Sequence, residues 1–241
     1  MSKCGSGISI QILCSLLLII SLGWAQAPLT ADQKLALGDQ LVNYNCGECE
    51  GRSMSEYDRG VGLIEQALRE GVKDRRKALL LLADSYGEYA YSYDKQRPMS
   101  DATRKAWGQR IEDIYKELLR DNPDDIPVLL LYASSQSNHQ DALPIFQHVL
   151  RIKPANADAM FGVAFIHVET GNVKTGVQEF ISALRLDSAS REQIESFLPQ
   201  FVQDLRAREG EQYIPQVSAA AAKALKAHAA QKDNSETRTR D

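Results

Sequence analysis

The chain has 241 residues, of which 44% are hydrophobic and 25% charged, as in an ordinary globular protein with enough apolar side chains to form a core. Its formal net charge of −4 gives no basic footprint, which argues against the basic classes of nucleic-acid-binding protein. We therefore expect no nucleic-acid partner.

The first residues have the composition of a secretory signal peptide. Lys3 precedes an apolar run over residues 8–22, and small residues follow at Gly23 and Ala25. A basic start, an apolar stretch and small residues near a cleavage site are the three parts of such a signal, so we predict cleavage after Ala25. The alternative is an uncleaved anchor, although the run is short for a membrane span. We expect an exported protein, periplasmic or else secreted, that meets the membrane only through this segment.

A close pair of cysteines follows the signal. Cleavage would leave Cys46 and Cys49 as the only cysteines of the mature chain. An oxidising compartment allows such a pair to persist as a disulfide, which is our prediction. Zinc would need two further ligands, and haem attachment would need a histidine where Glu50 stands. The alternative is a thiol–disulfide exchange protein that uses this CxxC pair.

A ten-residue pattern recurs four times along the chain. Residues 142–151 and 176–185 are offset by 34 residues, and earlier copies occupy residues 60–69 and 111–120. Each copy has a bulky residue four positions after its first residue and ends in Leu-Arg. Because residues four apart lie on one side of a helix, each copy predicts a helix with one apolar face.

Another apolar helix precedes each copy and carries a small residue at a constant position. These small residues are Gly38, Ala83, Ala133 and Ala164. A small side chain at that position lets the two helices of a hairpin approach closely. The separation between the small residue and the following copy is greater in the first two repeats, so we expect insertions or longer helices there.

These helix pairs resemble the tetratricopeptide repeat (TPR), whose pattern is W-x2-L-G-x2-Y, then A-x3-F, then P. Its final proline stands here as Pro123 and Pro154, whereas the tryptophan is absent from every copy. The resemblance covers residues 31–190. It implies an all-α fold, a right-handed α-solenoid of about four TPR-like helical hairpins with a C-terminal closing helix. It also implies a non-enzymatic scaffold that binds a protein or peptide, with cell-envelope assembly as the predicted setting.

The last part of the chain continues the helical pattern. Residues 191–208 predict the helix that closes the solenoid, and Pro215 begins an Ala-rich helix. Residues 232–241 are polar without periodicity and predict disorder. The predicted domains are a signal peptide (1–25), a TPR-like domain (26–208), an Ala-rich helix (209–231) and a disordered tail (232–241).

Proteins of this family bind partners along a concave face that is lined by the first helix of each repeat. The resemblance places on that face Leu35, Asp39, Leu80, Asp84, Leu130, Ser134, Phe161 and Phe165. Some members grip a terminal carboxylate with Lys and Asn in the first repeat, where this chain has Leu35 and Asp39, so we expect no such clamp. A mixed apolar and acidic face favours an apolar or basic partner.

Three tyrosines and two phenylalanines are our candidate protein-binding residues. Tyr89, Tyr91 and Tyr93 lie beyond the core of the second repeat, and tyrosine is favoured at interfaces. The alternative is that the long helices of this repeat pack on each other, with Trp107 beneath the tyrosines. Phe161 and Phe165 lie on a helix that is apolar on both sides and must bury both.

Two things could cover the second side of that helix. One is a partner protein, which would contact Phe161 and Phe165. The other is the chain itself, through Phe197 and Phe201 of the closing helix.

No motif for catalysis appears. The four histidines have no metal-ligand spacing, and His167 occupies a core position of its repeat. No Ser/His/Asp grouping and no Gly-rich phosphate loop occurs. We expect no catalytic residue, no metal and no cofactor, and therefore no enzyme.

Overall fold

The computed structural model describes residues 28–43, 54–92 and 100–238. Within these ranges the backbone forms ten α-helices and one short 3-10 helix, and no strand. The helices are α1 (Ala31–Val42), α2 (Met54–Glu70), α3 (Arg75–Ser92), α4 (Asp101–Asp121), α5 (Ile126–Ser135), α6 (His139–Ile152), α7 (Ala157–Glu169), α8 (Val173–Ala183), α9 (Arg191–Ala207) and α10 (Ile214–Arg238). The prediction of an all-α chain is confirmed.

The chain divides into two compact units, residues 1–78 and residues 79–241, and the boundary falls within α3. The predicted signal peptide, residues 1–25, lies outside the described residues. Of the helices described, none is long and apolar enough to cross a membrane.

The first unit contains the hairpin of α1 and α2. Gly38 of α1 lies against α2, where an added Cβ would stand 2.7 Å from the Ile64 side chain and 2.9 Å from the Gly60 carbonyl oxygen. An added Cβ at Gly60 would likewise stand 2.9 Å from Leu41. The two backbones can approach this closely only because both positions are glycine. The predicted role of the small residue is confirmed in this hairpin.

Two ion pairs join elements of this unit. The Lys34 ammonium lies 2.5 Å from a Glu70 carboxylate oxygen, and Lys34 itself is buried. Lys77 lies 2.7 Å from Asp39. The hydrogen bond from Lys77 holds the pKa of Asp39 below its usual value, although partial burial acts in the opposite direction. Asp39 is therefore committed to a pair within the chain.

The second unit repeats this hairpin geometry. Ala164 of α7 is fully buried, and a Cβ added at Gly176 of α8 would stand 2.6 Å from the Ala164 carbonyl oxygen. Gly176 corresponds to Gly60, the first residue of another copy of the pattern. Close helix packing at the small residue is therefore a property of the first and the last repeat alike.

Side-chain caps begin several helices of the second unit. Asp125 accepts a hydrogen bond from the Val128 backbone amide at the start of α5, and Asn156 accepts one from the Ala159 amide at the start of α7. Helices α3 and α4 have 18 and 21 residues. The wide spacing of the second repeat is therefore due at least in part to longer helices, as one of the two alternatives predicted.

The C-terminal elements form a further helical pair. Helix α9 packs on α7, α10 packs on α8, and the two contact each other. Their shared seam includes the buried residues Phe201, Leu205, Val217 and Ala221. Helix α10 continues to Arg238, and the prediction of a disordered tail over residues 232–241 stays a prediction.

Candidate functional site

The structure places Phe161 in the core of the second unit. Its side chain is 1% exposed, and its ring centroid lies 5.0 Å from that of Phe180 and 5.3 Å from that of Phe197. The chain itself therefore covers this side of α7, through α9. The prediction that Phe161 contacts a partner is wrong, because the closing helix already occupies the surface where the partner would bind.

Phe165 is partly exposed but lies among the same rings. Its centroid is 5.3 Å from that of Phe201 and 6.0 Å from that of Phe197, both in edge-on geometry. Such T-shaped aromatic pairs are favourable contacts of a protein core. Packing by the closing helix, the alternative for this residue, accounts for its position.

The other predicted site residues lie at or beyond the limits of the description. Tyr89 and Tyr91 belong to the helical backbone of α3, but their side chains lie outside the described part. Tyr93, Cys46 and Cys49 fall outside the described residues entirely. The tyrosine contacts and the disulfide stay predictions.

A groove opens where α3, α4 and the end of α5 meet. Its volume is ≈ 760 Å³. The Tyr86 and Trp107 rings line this groove, and their centroids are 5.4 Å apart. We call this the α3–α5 groove, and its lining is Tyr86, Gly87, Asp101, Arg104, Lys105, Trp107, Gly108, Gln109, Ile111, Glu112 and residues 134–137.

The length of α4 creates the groove. The repeat pattern of this helix starts at Ile111, but the helix begins at Asp101. The extra turns carry Trp107 and Gly108, and they form the wall that faces the end of α5. Ser100 begins the extension, since its hydroxyl accepts a hydrogen bond from the Thr103 amide at 3.1 Å. A repeat of ordinary length would lack this wall.

Two glycines of the groove are not in close contact with any of the described residues. A Cβ added at Gly87 or at Gly108 would meet no atom of these residues within 4 Å. Both residues lie inside helices, where glycine costs about 1 kcal/mol relative to alanine. By contrast, Gly38 and Gly176 are required by close backbones. The absence of a side chain at these two positions keeps the groove open.

The polar groups of the groove are mixed in charge. Glu112 lies 2.6 Å from Lys116, and the Tyr132 hydroxyl donates a hydrogen bond to Glu112 at 3.5 Å. The hydrogen bond from Lys116 to Glu112 raises the pKa of Lys116, and burial raises the pKa of Tyr132. Asp101, Arg104 and Lys105 also line the groove and are exposed. The lining therefore combines the Tyr86 and Trp107 rings with charged side chains of both signs.

Three histidines of the second unit join neighbouring elements. His167 Nδ1 lies 2.6 Å from Glu179, His139 lies 2.7 Å from Glu169, and His148 lies 2.9 Å from Asp124. The prediction that His167 is a core histidine with a satisfied partner agrees with this geometry. Across the described ranges, no group of three or more metal-ligating side chains comes together.

Sequence reasoning does not identify Trp107 and Gly108 as site residues. It predicts Trp107 only as packing beneath the tyrosines, which stays a prediction; the contact that the structure describes is with Tyr86. The available signal is Gly108 itself, a glycine inside a helical pattern that needs no close approach. Of the residues predicted for the concave face, Ser134 lies in the α3–α5 groove.

Comparison with known proteins shows a likeness of fold. No protein-family model matches the chain, and no curated protein matches its sequence. MamA from Desulfovibrio magneticus RS-1 aligns with a TM-score of 0.55 and 10% identity, over 82% of this chain and 96% of that one. A double mutant of MamA RS-1 aligns with a TM-score of 0.54 and 10% identity, over 82% and 95%.

A thermophilic TPR protein from Thermus thermophilus aligns less well, with a TM-score of 0.45 and 17% identity over 81% of this chain and 99% of that one. At these identities the likeness to MamA concerns the fold alone. The helix pairs and this likeness together show that the chain has an all-helical, TPR-like fold of the α-solenoid class.

Proposed function

We propose that this chain is a non-enzymatic, exported scaffold that binds a partner protein in the α3–α5 groove and acts in cell-envelope assembly. The observation that carries the proposal is the open, glycine-lined groove beside Trp107. Its partner is a peptide segment with an apolar or aromatic side chain.

The chemistry of the groove supports that choice of partner. The Trp107 ring lines the groove beside Tyr86 and is only partly buried. Tryptophan and tyrosine are enriched at the energetic centres of interfaces. Gly87 and Gly108 leave room for a side chain between α3 and α4. An apolar side chain of the partner would fill that space. The backbone of the partner peptide would contact the charged side chains of the lining.

The proposal of export rests on residues 1–25. Their basic start, apolar run and small residues have the order of a secretory signal. We propose the periplasm as the compartment, and envelope assembly as the process, because a repeat scaffold without a catalytic motif acts by holding other proteins together. Thiol–disulfide exchange by Cys46 and Cys49 has no observation in its favour.

The fluorescence of Trp107 tests the binding site directly. In a chain that starts at residue 26, Trp107 is the only tryptophan, because Trp24 belongs to the predicted signal. The probe is a set of peptides selected from a random display library on this chain. Saturable binding with a shift in Trp107 emission is expected. Peptides that bind without any change in that emission would place the binding surface elsewhere and contradict the proposal.

A further inference from the structure

A second groove runs along the contact between α8 and α10, and it shares no lining residue with the α3–α5 groove. Two hollows of ≈ 320 and ≈ 520 Å³ open there, and Arg185 lines both. Ala220, Ala224 and Ala227 of α10 line the larger hollow. Because these side chains are small, α10 leaves space beside the end of α8. We call the two hollows together the α8–α10 groove.

The charges of this groove are one-sided. Lys174, Arg185, Lys223 and His228 line it, whereas Asp187 is the single acidic residue of its lining. The chain as a whole has the opposite balance, with a formal net charge of −4. The groove is therefore a local basic surface on an acidic protein.

The lysine and arginine side chains of the groove have no acidic partner among the described residues. Within the described ranges, Lys174, Arg185 and Lys223 take part in no ion pair. Some other basic residues of the chain are paired, such as Lys116 with Glu112 at 2.6 Å. Glu179, the acidic residue of α8, is held by His167 at 2.6 Å. Among the residues that line the groove, only Asp187 can neutralise this charge.

Stabilisation of helix ends explains only some of the basic residues that line this groove. Arg185 lies just beyond the end of α8, where a cation is stabilised by the partial negative charge of the helix end. Lys223 lies in the middle of α10, far from either helix end, so the same argument does not apply. Nor does the helix dipole explain why both residues line one open, alanine-lined hollow.

We propose that the α8–α10 groove binds an acidic peptide segment of a second partner protein. Its carboxylates pair with Arg185 and Lys223, and its aliphatic side chains occupy the hollow beside Ala224. Arginine suits this role because its guanidinium can donate two parallel hydrogen bonds to one carboxylate. The site goes beyond the proposed function, since it uses different helices and the opposite ligand chemistry from an apolar segment.

Charge-reversed variants test this inference with a matched control. Arg185→Glu and Lys223→Glu place negative charge in the groove, whereas Lys226→Glu makes the same change on α10 at an exposed residue that does not line the hollows. The probe is a pool of dodecapeptides composed of Glu, Leu and Ser, compared with a pool in which Lys replaces Glu. Affinity is measured by calorimetry at an ionic strength of about 0.15 M, where charges more than about 8 Å apart are largely screened.

The acidic pool is expected to bind, and the basic pool is not. Arg185→Glu and Lys223→Glu should each weaken binding by about tenfold, which corresponds to about 1.4 kcal/mol. Lys226→Glu should weaken binding less than Lys223→Glu, because the Lys226 side chain does not line the hollows and makes no direct contact with the peptide. All these side chains are exposed, so helical circular dichroism should be the same in each variant.

Three outcomes would overturn the inference. The first is that the acidic pool binds no tighter than the basic pool, and the second is that Lys226→Glu weakens binding as much as Arg185→Glu. The third is that neither pool binds, whereas vesicles of an anionic phospholipid do. The last would identify a membrane surface instead of a peptide. Gly108→Leu, which fills the α3–α5 groove, should leave binding of the acidic pool unchanged, so failure here and failure of the proposed function are told apart.

Discussion

Replacing Gly108 by leucine should make the protein more stable and weaken peptide binding in the α3–α5 groove. An added Cβ at Gly108 meets no atom of the described residues within 4 Å, so these residues leave open space where the new side chain begins. Glycine inside a helix is less favourable than leucine by roughly 0.5–1 kcal/mol. For a chain of this size, 1 kcal/mol raises the midpoint of thermal unfolding by about 2–4 °C.

The effect on binding should be larger and opposite in sign. Full burial of one apolar side chain contributes about 1.5–3 kcal/mol, and each 1.4 kcal/mol changes affinity by about tenfold. A leucine at residue 108 occupies the space of the peptide side chain. We therefore expect the peptides selected on the parent chain to bind the variant about tenfold or more weakly, as measured by fluorescence anisotropy of labelled peptides.

Gly62→Leu is the matched control. Gly62 is an exposed residue of α2 where an added Cβ also meets no atom within 4 Å, and it does not line the groove. It should gain the same stability as Gly108→Leu and keep full affinity. The reasoning is refuted if Gly108→Leu binds the peptides as the parent does, or if it unfolds at a lower temperature than the parent.

Other positions give independent tests. Gly176→Ala should destabilise the second unit by about 1–3 kcal/mol in thermal unfolding, because its Cβ would press on backbone 2.6 Å away; an unchanged midpoint would contradict this packing. Lys77→Met should raise the pKa of Asp39 toward its ordinary value of 3.8, as read from carboxyl NMR shifts. Since the lowered pKa belongs to the folded state, the parent's advantage in stability is present above pH 3.8 and declines as pH falls through the folded pKa; a constant advantage down to full protonation would refute this coupling. The double Cys46→Ser, Cys49→Ser variant should bind the selected peptides like the parent, and insulin reduction by the parent alone would instead favour thiol–disulfide exchange.

The helical hairpins could be predicted from the sequence because their packing leaves a periodic trace. A small residue such as Gly38 or Ala164 must recur wherever two helices touch, and the apolar face of the second helix recurs with it. This local pattern determines helix pairing, so the all-α fold followed from it.

The sequence pattern does not show which element covers an apolar helix face. Phe161 lies on a helix that is apolar on two sides, and the pattern required only that both sides be buried. Whether α9 or a partner buries the second side depends on the path of the chain after residue 190. The structure shows the Phe197 ring centroid 5.3 Å from that of Phe161, so a surface that the sequence leaves open to a partner is filled by the chain.

The grooves escape sequence analysis for a related reason. A groove exists where neighbouring helices differ in length or in side-chain size, as at the extra turns of α4 that carry Trp107 and Gly108. Helix ends are defined by caps such as Ser100, and these are weaker signals than the apolar repeat. Unexplained glycines inside helices are the one sequence feature that points to the groove.

Site-specific photo-crosslinking in cells that naturally produce the protein tests the central claim most directly. A benzoylphenylalanine placed at residue 108 should crosslink a discrete partner protein, because residue 108 lines the α3–α5 groove. The same group at residue 62, an equally unobstructed helix position outside the groove, should give no such product. Identical products from both residues, or none from residue 108, would contradict the account of this chain as a scaffold that binds its partner in the α3–α5 groove.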